Sequence, residues 1–157
     1  MLNLAAGMRN PRRLLQKLKN IASNRIKNRM IKIKRVYDKV DIHDGLRILV
    51  DRLWPRGIRR SSQNIDLWLK DVAPSTELRK WFMHQPGRWE SFKKKYEAEL
   101  KDSKALAKLV DIALTTDTIT MLYSTKDMEH NNALVLLKVL NRRVAAARRR
   151  NSNKIKR

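Results

Sequence analysis

Five residues constrain this chain most. The run LRILV (46–50) is apolar at four of its five positions. It is short, and it leaves neither face fit for water, which is the pattern of an interior strand in a parallel sheet covered on both sides. The chain then reads DRLWPRG (51–57), where Pro55 and Gly57 forbid a helix and force a loop. Asp51, Arg52, Trp54 and Arg56 therefore crowd just beyond the end of a buried strand.

Two other segments read as strands. IKIKRVY (31–37) alternates apolar and basic residues, as a strand with one buried face would, and TITMLYS (118–124) is β-branched and apolar. Between them, four stretches carry helical spacing: NIDLWLKDV (64–72), PSTELRKWF (74–82), RWESFKKKYEAEL (88–100) and SKALAKLVDIAL (103–114). Ser75 is placed as an N-cap, with Glu77 in the first turn. Trp89, Phe92, Tyr96 and Leu100 form an aromatic stripe that reads as core. MEHNNALVLLKVLNRRVAAARRR (128–150) predicts a long last helix, with Asp127 as its cap and His130 one turn inside it. Strand, strand, helices, strand, helix predicts an α/β fold: a small, mostly parallel sheet flanked by helices, in a single domain with basic arms at both ends.

The arms follow from where the charge lies. The net charge is +22, yet all fifteen acidic residues fall between Asp38 and Glu129. Residues 1–29 and 142–157 each hold eight Lys or Arg and no acid; removing those sixteen from the 37 basic residues leaves 21 against 15 acids, net +6, in 30–141. The reading is three segments. Residues 1–29 form a basic amphipathic arm with Leu14, Leu15, Leu18, Ile21 and Ala22 at helical spacing, or an extension upstream of a start at Met8 or Met30. Residues 30–141 form the folded domain, and 142–157 a basic tail. Acid-free arms suit a polyanion, since neutralising phosphates releases counterions. Arg12, Arg13, Lys17, Lys19, Arg142, Arg143, Arg148, Arg149 and Arg150 are the expected contacts with nucleic acid, RNA ahead of DNA.

Composition removes other classes. With no cysteine, disulfides, thiolate zinc sites and a cysteine nucleophile are excluded. No apolar run approaches the roughly 18 residues of a membrane span, so a soluble, cytoplasmic protein is expected, or a mitochondrial matrix protein if the Arg-rich arm is a targeting segment.

In open α/β sheets ligands collect beyond the carboxyl ends of the strands. One polar cluster there is Asp51, Arg52, Trp54 and Arg56; the other is Tyr123, Ser124, Asp127, His130 and Asn131. If the two strands are parallel neighbours, both clusters face one crevice. Arg52 and Arg56 would then grip an anion, such as a small phosphorylated ligand, and Trp54 would cover an aromatic or sugar face, with Tyr123 and Asn131 completing the site. His130, Asp127 and Asp51 are the candidate acids and bases. Blander roles compete: Asp51 pairing with Arg52 or Arg56 to hold the loop, Trp54 as a core lid, Asp127 as a cap alone. There is no GxSxG elbow, P-loop or GxGxxG after a strand, nothing in the spacing of His84 and His130 calls for a metal, and no cofactor is specified.

Taken together, IKRVYD (33–38), GLRILVDRLWPRG (45–57), LWLKDVAPSTELRKWF (67–82), RWESFKKKYEAEL (88–100) and MLYSTKDMEHNNA (121–133) resemble the YeaO-like proteins of domain-of-unknown-function family 488 (DUF488) from about Ile31 to Leu140, leaving both arms uncovered. The resemblance implies a small α/β domain without an established activity. It maps the family's motif residues onto Asp51, Arg52, Trp54, Arg56, Arg79, His84, Arg88, Trp89, Tyr123, Asp127, His130 and Asn131, among others. Gln85 and Gly87, and TTDT before the last strand, depart from the family pattern at the edge of the crevice. Three functions follow from separate parts of the chain: nucleic-acid binding from the arms, an enzyme acting on a nucleotide or other phosphorylated small molecule from the crevice, and a structural adaptor if neither is used.

Overall fold

A computed structural model describes Leu15, Gln16, residues 29–62 and residues 64–156. Its element order is β1 (Met30–Arg35), a 3-10 turn (Ile42–Asp44), β2 (Leu46–Leu49), β3 (Leu67–Trp68), a 3-10 turn (Lys70–Val72), α1 (Thr76–Phe82), a 3-10 turn (Pro86–Arg88), α2 (Trp89–Leu100), α3 (Lys104–Thr115), β4 (Thr118–Tyr123) and α4 (Asn132–Ile155). The four strands form one sheet in the order β1-β4-β2-β3, and every pairing is parallel. Ile48 faces Met121 and Leu49 faces Leu122, so the buried run identified first lies beside the last strand.

Strand parity sorts the side chains into two unequal layers. On one face Ile48 and Val50 join Ile119, Met121 and Tyr123 in a core to which all four helices contribute, among them Phe82, Tyr96, Leu109 and Leu136. On the other face Val36, Leu49 and Leu122 are covered by Trp54, Ile58 and Ile65 from the chain between β2 and β3, and by Trp68 of β3 itself. Helices thus pack one face and a loop packs the other. Arg60 lies against both indoles, 4.6 Å from Trp54 and 4.7 Å from Trp68, and the two rings meet edge to face at 5.5 Å.

At the amino ends of the strands a buried ion cluster fixes the entry to β2. The Asp44 carboxylate pairs with Arg47 and with Lys34 at 3.2 Å, while the Asp44 carbonyl accepts from Thr120 Oγ1 at 2.6 Å. Burial alone would raise the Asp44 pKa; the Asp41 N–H, Lys34 and Arg47 outweigh it and hold the carboxyl below its ordinary value. Gly45 follows at φ +63°, and a Cβ there would sit 2.1 Å from the Thr118 carbonyl oxygen, so no other residue fits.

Two expectations are corrected. NIDLWLKDV is not a helix: Leu67 and Trp68 pair with Ile48 and Leu49 as the edge strand, and Trp68 Nε1 donates to the Asp51 carbonyl at 2.8 Å. The last helix begins at Asn132, so His130 precedes it and Asp127 does not cap it; Asn131 does, its side chain accepting from Leu134 N–H. That helix runs through residue 142 to Ile155 without a break, with Val144 buried.

Candidate functional site

The parallel β2–β4 pairing brings both strand-end clusters to one cavity of about 350 Å³. It lies at the carboxyl edge of the sheet, between the helical layer, represented by Phe82 and Phe92, and the loop layer, represented by Tyr37, Trp54, Pro55 and Arg56. Asp51, Arg52, Ser124, His130 and Asn131 line it as well.

Asp51 sits at the base. Its carboxylate accepts from Ser124 N–H at 2.9 Å and Ser124 Oγ–H at 2.6 Å. Burial pushes its pKa above the ordinary carboxyl range, with Ser124, Asn132 and His84 pulling it part of the way back. It pairs with neither Arg52 nor Arg56. Arg52 turns instead to the neighbouring loop: Nε donates to the Pro74 carbonyl at 2.9 Å, Nη2 to that of Ala73 at 3.1 Å, and Nη1 stands 3.5 Å from Asp71. Its donors hold a wall of the cavity in shape. Arg56 is different. Its carbonyl accepts from Tyr37 Oη–H at 2.8 Å, and its guanidinium has no hydrogen bond or ion pair with any described residue.

His130 comes from a turn that its own neighbours close. Asp127 accepts from the backbone N–H of Glu129 and of His130, both at 2.9 Å, and its other oxygen is 3.0 Å from His130 Nδ1. The Glu129 N–H does most to lower the Asp127 pKa, helped by His130. A carboxylate only accepts, so Nδ1 is the ring nitrogen that donates to it. The imidazole meets Trp89 edge to face at 5.3 Å. Asn131 is buried and committed at both ends, with Oδ1 accepting from Leu134 N–H at 3.0 Å and Nδ2 donating to the Asp127 carbonyl at 3.1 Å.

Of the residues expected at the site, Tyr123 is not brought to the cavity. It shares strand parity with Ile119 and Met121 and lies in the main core, 4% exposed. Trp54 lines the cavity while its Nε1 donates to the Ile58 carbonyl at 2.6 Å and its ring covers the second core. The choice of site residues passed over Arg79 and His84. Arg79 lies three residues before Phe82 on α1, close enough to share its side of the helix. His84 is delivered by two successive left-handed residues, Met83 at φ 45° and His84 at φ 52°. Neither side chain has a hydrogen bond or ion pair with a described residue. Among the described residues no group of His, Asp and Glu could hold a metal ion.

Arg12, Arg13, Lys17 and Lys19 lie outside the described residues. On α4, Arg142 pairs with Glu97 at 2.9 Å and Arg143 donates to the Lys101 carbonyl at 2.8 Å. Arg148 is half-buried; Arg149, Arg150, Lys154 and Lys156 are exposed. No helix among the described residues is long and apolar enough to cross a membrane.

Comparison with known proteins gives consistent matches. A family model described as the inactive DUF488-N3 subclade matches residues 30–155, the span from the start of β1 to the end of α4. An uncharacterized protein of Mycobacterium tuberculosis is 42% identical over 118 residues, which is 75% of this chain and 99% of its own length. The uncharacterized protein YeaO of Escherichia coli is 48% identical over 107 residues, 68% of this chain and 92% of its own. No solved structure matches the chain.

Proposed function

The chain belongs to the DUF488 family, and from that footing we propose that it is a binding protein that holds nucleic acid, RNA in preference to DNA, through its basic arms, and a small phosphorylated ligand in the cavity. The observation that carries the first part is the acid-free half of α4. From Arg142 to Ile155 the helix carries five Arg and one Lys and no acid, and Lys156 and Arg157 follow it in the sequence. Arg149, Arg150, Lys154 and Lys156 are exposed. Arginine's planar fork suits phosphate oxygens and stacks on unpaired bases, which single-stranded RNA offers and duplex DNA does not. Residues 1–29 would act as the second arm. The cytoplasm supplies such a partner, as does the mitochondrial matrix.

Two considerations favour binding over catalysis. The matching subclade is described as inactive. Ser124, the hydroxyl nearest to an acid or base in the cavity, donates to Asp51, and among the described residues no hydroxyl is bonded to His130. An enzyme acting on the cavity ligand remains the second reading because Asp127 orients the His130 imidazole as a base would require. It predicts turnover of a phosphorylated compound that His130→Gln abolishes without loss of binding.

The test of the arm is substitution, since truncation at residue 142 would also remove buried Val144. Arg149→Gln, Arg150→Gln and Lys154→Gln together remove three exposed charges. Binding to a single-stranded RNA oligonucleotide, followed by anisotropy across a salt series, should show a log–log slope shallower by about two, from ~0.7 per phosphate contact. An unchanged slope would refute the role of α4.

A further inference from the structure

We infer that the exposed indole of Trp81, with Arg88 and Lys95 set against its ring, is a stacking platform for an unpaired base of single-stranded RNA whose backbone runs on to the basic half of α4. The inference rests on the proposed binding of RNA by that half and adds a contact on the folded domain that the arms do not supply.

Packing does not account for this indole. Of the four tryptophans, Trp54 and Trp68 cover the second core and Trp89 packs on the main one, whereas Trp81 belongs to neither and is 36% exposed. On α1, Leu78 and Phe82 take the buried positions, and Trp81 shares the outer surface with Glu77 one turn earlier. Two cations attend the ring instead. Arg88 lies 5.3 Å from the ring centroid while its Nη1 donates to the Trp81 carbonyl, which fixes the guanidinium in place. Lys95 of α2 reaches the same ring, also at 5.3 Å, and has no hydrogen bond or ion pair with a described residue. The acids of these two helices are turned to other work: Glu99 accepts from Ser75 N–H at 2.9 Å, Glu90 pairs with Lys93 at 2.7 Å, and Glu77 stands in the first turn of α1, at its positive end. An indole flanked by cations offers a base a face to stack on and charge for its phosphate, and an arginine plane stacks on bases as well. Lys95, on a flexible stem, can leave the ring for the phosphate of the stacked nucleotide.

The platform is continuous with the helix already assigned to RNA. On one side of α2, Lys95 reaches Trp81. On the other, Glu97 pairs with Arg142 at 2.9 Å, and the carbonyl of Lys101, just past the helix, accepts from Arg143 at 2.8 Å. Helical spacing puts Lys94 and Ala98 on the ridge between those two sides, and both are exposed. A helix with its side chains is about 10–12 Å across, so a strand leaving the start of the basic half of α4 crosses a single helix, over one lysine and one small residue, to reach the indole. The same arrangement selects against a duplex. Paired strands give the arm their phosphates but keep their bases stacked inside, whereas an unpaired strand can lay a base on Trp81.

Anisotropy titration of the full chain with a short oligouridine, an abasic strand of the same length and backbone, and duplex DNA tests the proposal. Trp81→Ala should weaken binding of oligouridine at least about fivefold and leave the log–log salt slope unchanged, because no phosphate contact is lost. Trp81→Phe should recover part of that loss. On the abasic strand and on the duplex, Trp81→Ala should bind as the unaltered chain does; an equal loss on the abasic strand would overturn stacking on a base. Binding of oligouridine by Trp81→Ala as tightly as by the unaltered chain would overturn the platform while leaving the α4 triple variant to decide the arm by its slope. No binding of oligouridine by the unaltered chain would overturn both. Fluorescence gives a second readout that needs only the conservative variant. Oligouridine should quench the tryptophan emission of the unaltered chain more than the abasic strand does, and that difference should vanish in Trp81→Phe; equal quenching by the two strands, or a difference that survives in Trp81→Phe, overturns the assignment.

Discussion

Asn131 was expected to hold ligand; the structure makes it a helix cap, and the two roles separate on substitution. Its side chain is 2% exposed, receives the Leu134 N–H at 3.0 Å and gives a hydrogen bond to the Asp127 carbonyl at 3.1 Å. Asn131→Ala removes the cap of a helix that is 24 residues long, at a cost of about 1 kcal/mol. It also leaves the partly buried Asp127 carbonyl without that donor, about 1–2 kcal/mol more. The total of about 2–3 kcal/mol corresponds to a fall in Tm of roughly 6–15 °C for a domain of this size. Urea unfolding followed by tryptophan fluorescence measures it. Asn131→Ser restores an oxygen that can cap and should recover about 1 kcal/mol. If Ala costs less than about 0.5 kcal/mol, or Ser is no better than Ala, the cap assignment is wrong. A variant of unchanged stability that loses binding of a small phosphorylated ligand would return Asn131 to the ligand.

The two arginines of the WPRG loop should behave oppositely. Arg52→Ala, losing two hydrogen bonds to carbonyls, should cost about 1–3 kcal/mol, whereas Arg56→Ala should leave stability within about 0.5 kcal/mol and impair phosphate binding alone; equal losses of stability in both would make the loop a single structural clamp. Asp51 sets a pH dependence whose sign is fixed by its burial. Its folded pKa is raised, so the native state keeps the proton longer than the unfolded chain does; the contribution to stability is full below the ordinary Asp value and is lost as pH rises through the folded value. Asp44 and Asp127, whose pKa values are lowered, act in the opposite sense, losing their contribution as pH falls. The difference in urea midpoint between Asp51→Asn and the unaltered chain should therefore grow in favour of Asn as pH rises from the ordinary Asp value through the raised folded value, and a constant difference would contradict the burial argument.

Three of the four strands, the four helices and the shared crevice were legible because each carries a clear signal. LRILV is too apolar for an exposed place, RWESFKKKYEAEL repeats at helical spacing, and the shared crevice rested on a condition, a parallel β2–β4 pair, which the structure meets. NIDLWLKDV misled because a short apolar run fits either period. What decided it was a long-range partner, the β2 edge, which no local pattern announces. The cap was misplaced for a different reason. Asp127 and Asn131 are both capping residue types four positions apart, and the choice turned on which backbone N–H groups each could reach. Tyr123 was readable: counting by twos from Ile119 through Met121 assigns it to the core face. Arg79 and His84 were named only through the family resemblance, because the left-handed turn at Met83 and His84 that follows α1 has no local sequence signal that would place them at the cavity.

The unequal layering of the sheet has a consequence for how such a domain can change over generations. The four helices and their shared core carry most of the buried apolar residues, while the β2–β3 loop covers only Val36, Leu49 and Leu122 and yet supplies Trp54, Pro55 and Arg56 to the cavity. Substitutions in that loop can therefore redraw the ligand's surroundings while leaving the larger core untouched. One face of the sheet preserves the fold; the other is free to experiment with what it recognises.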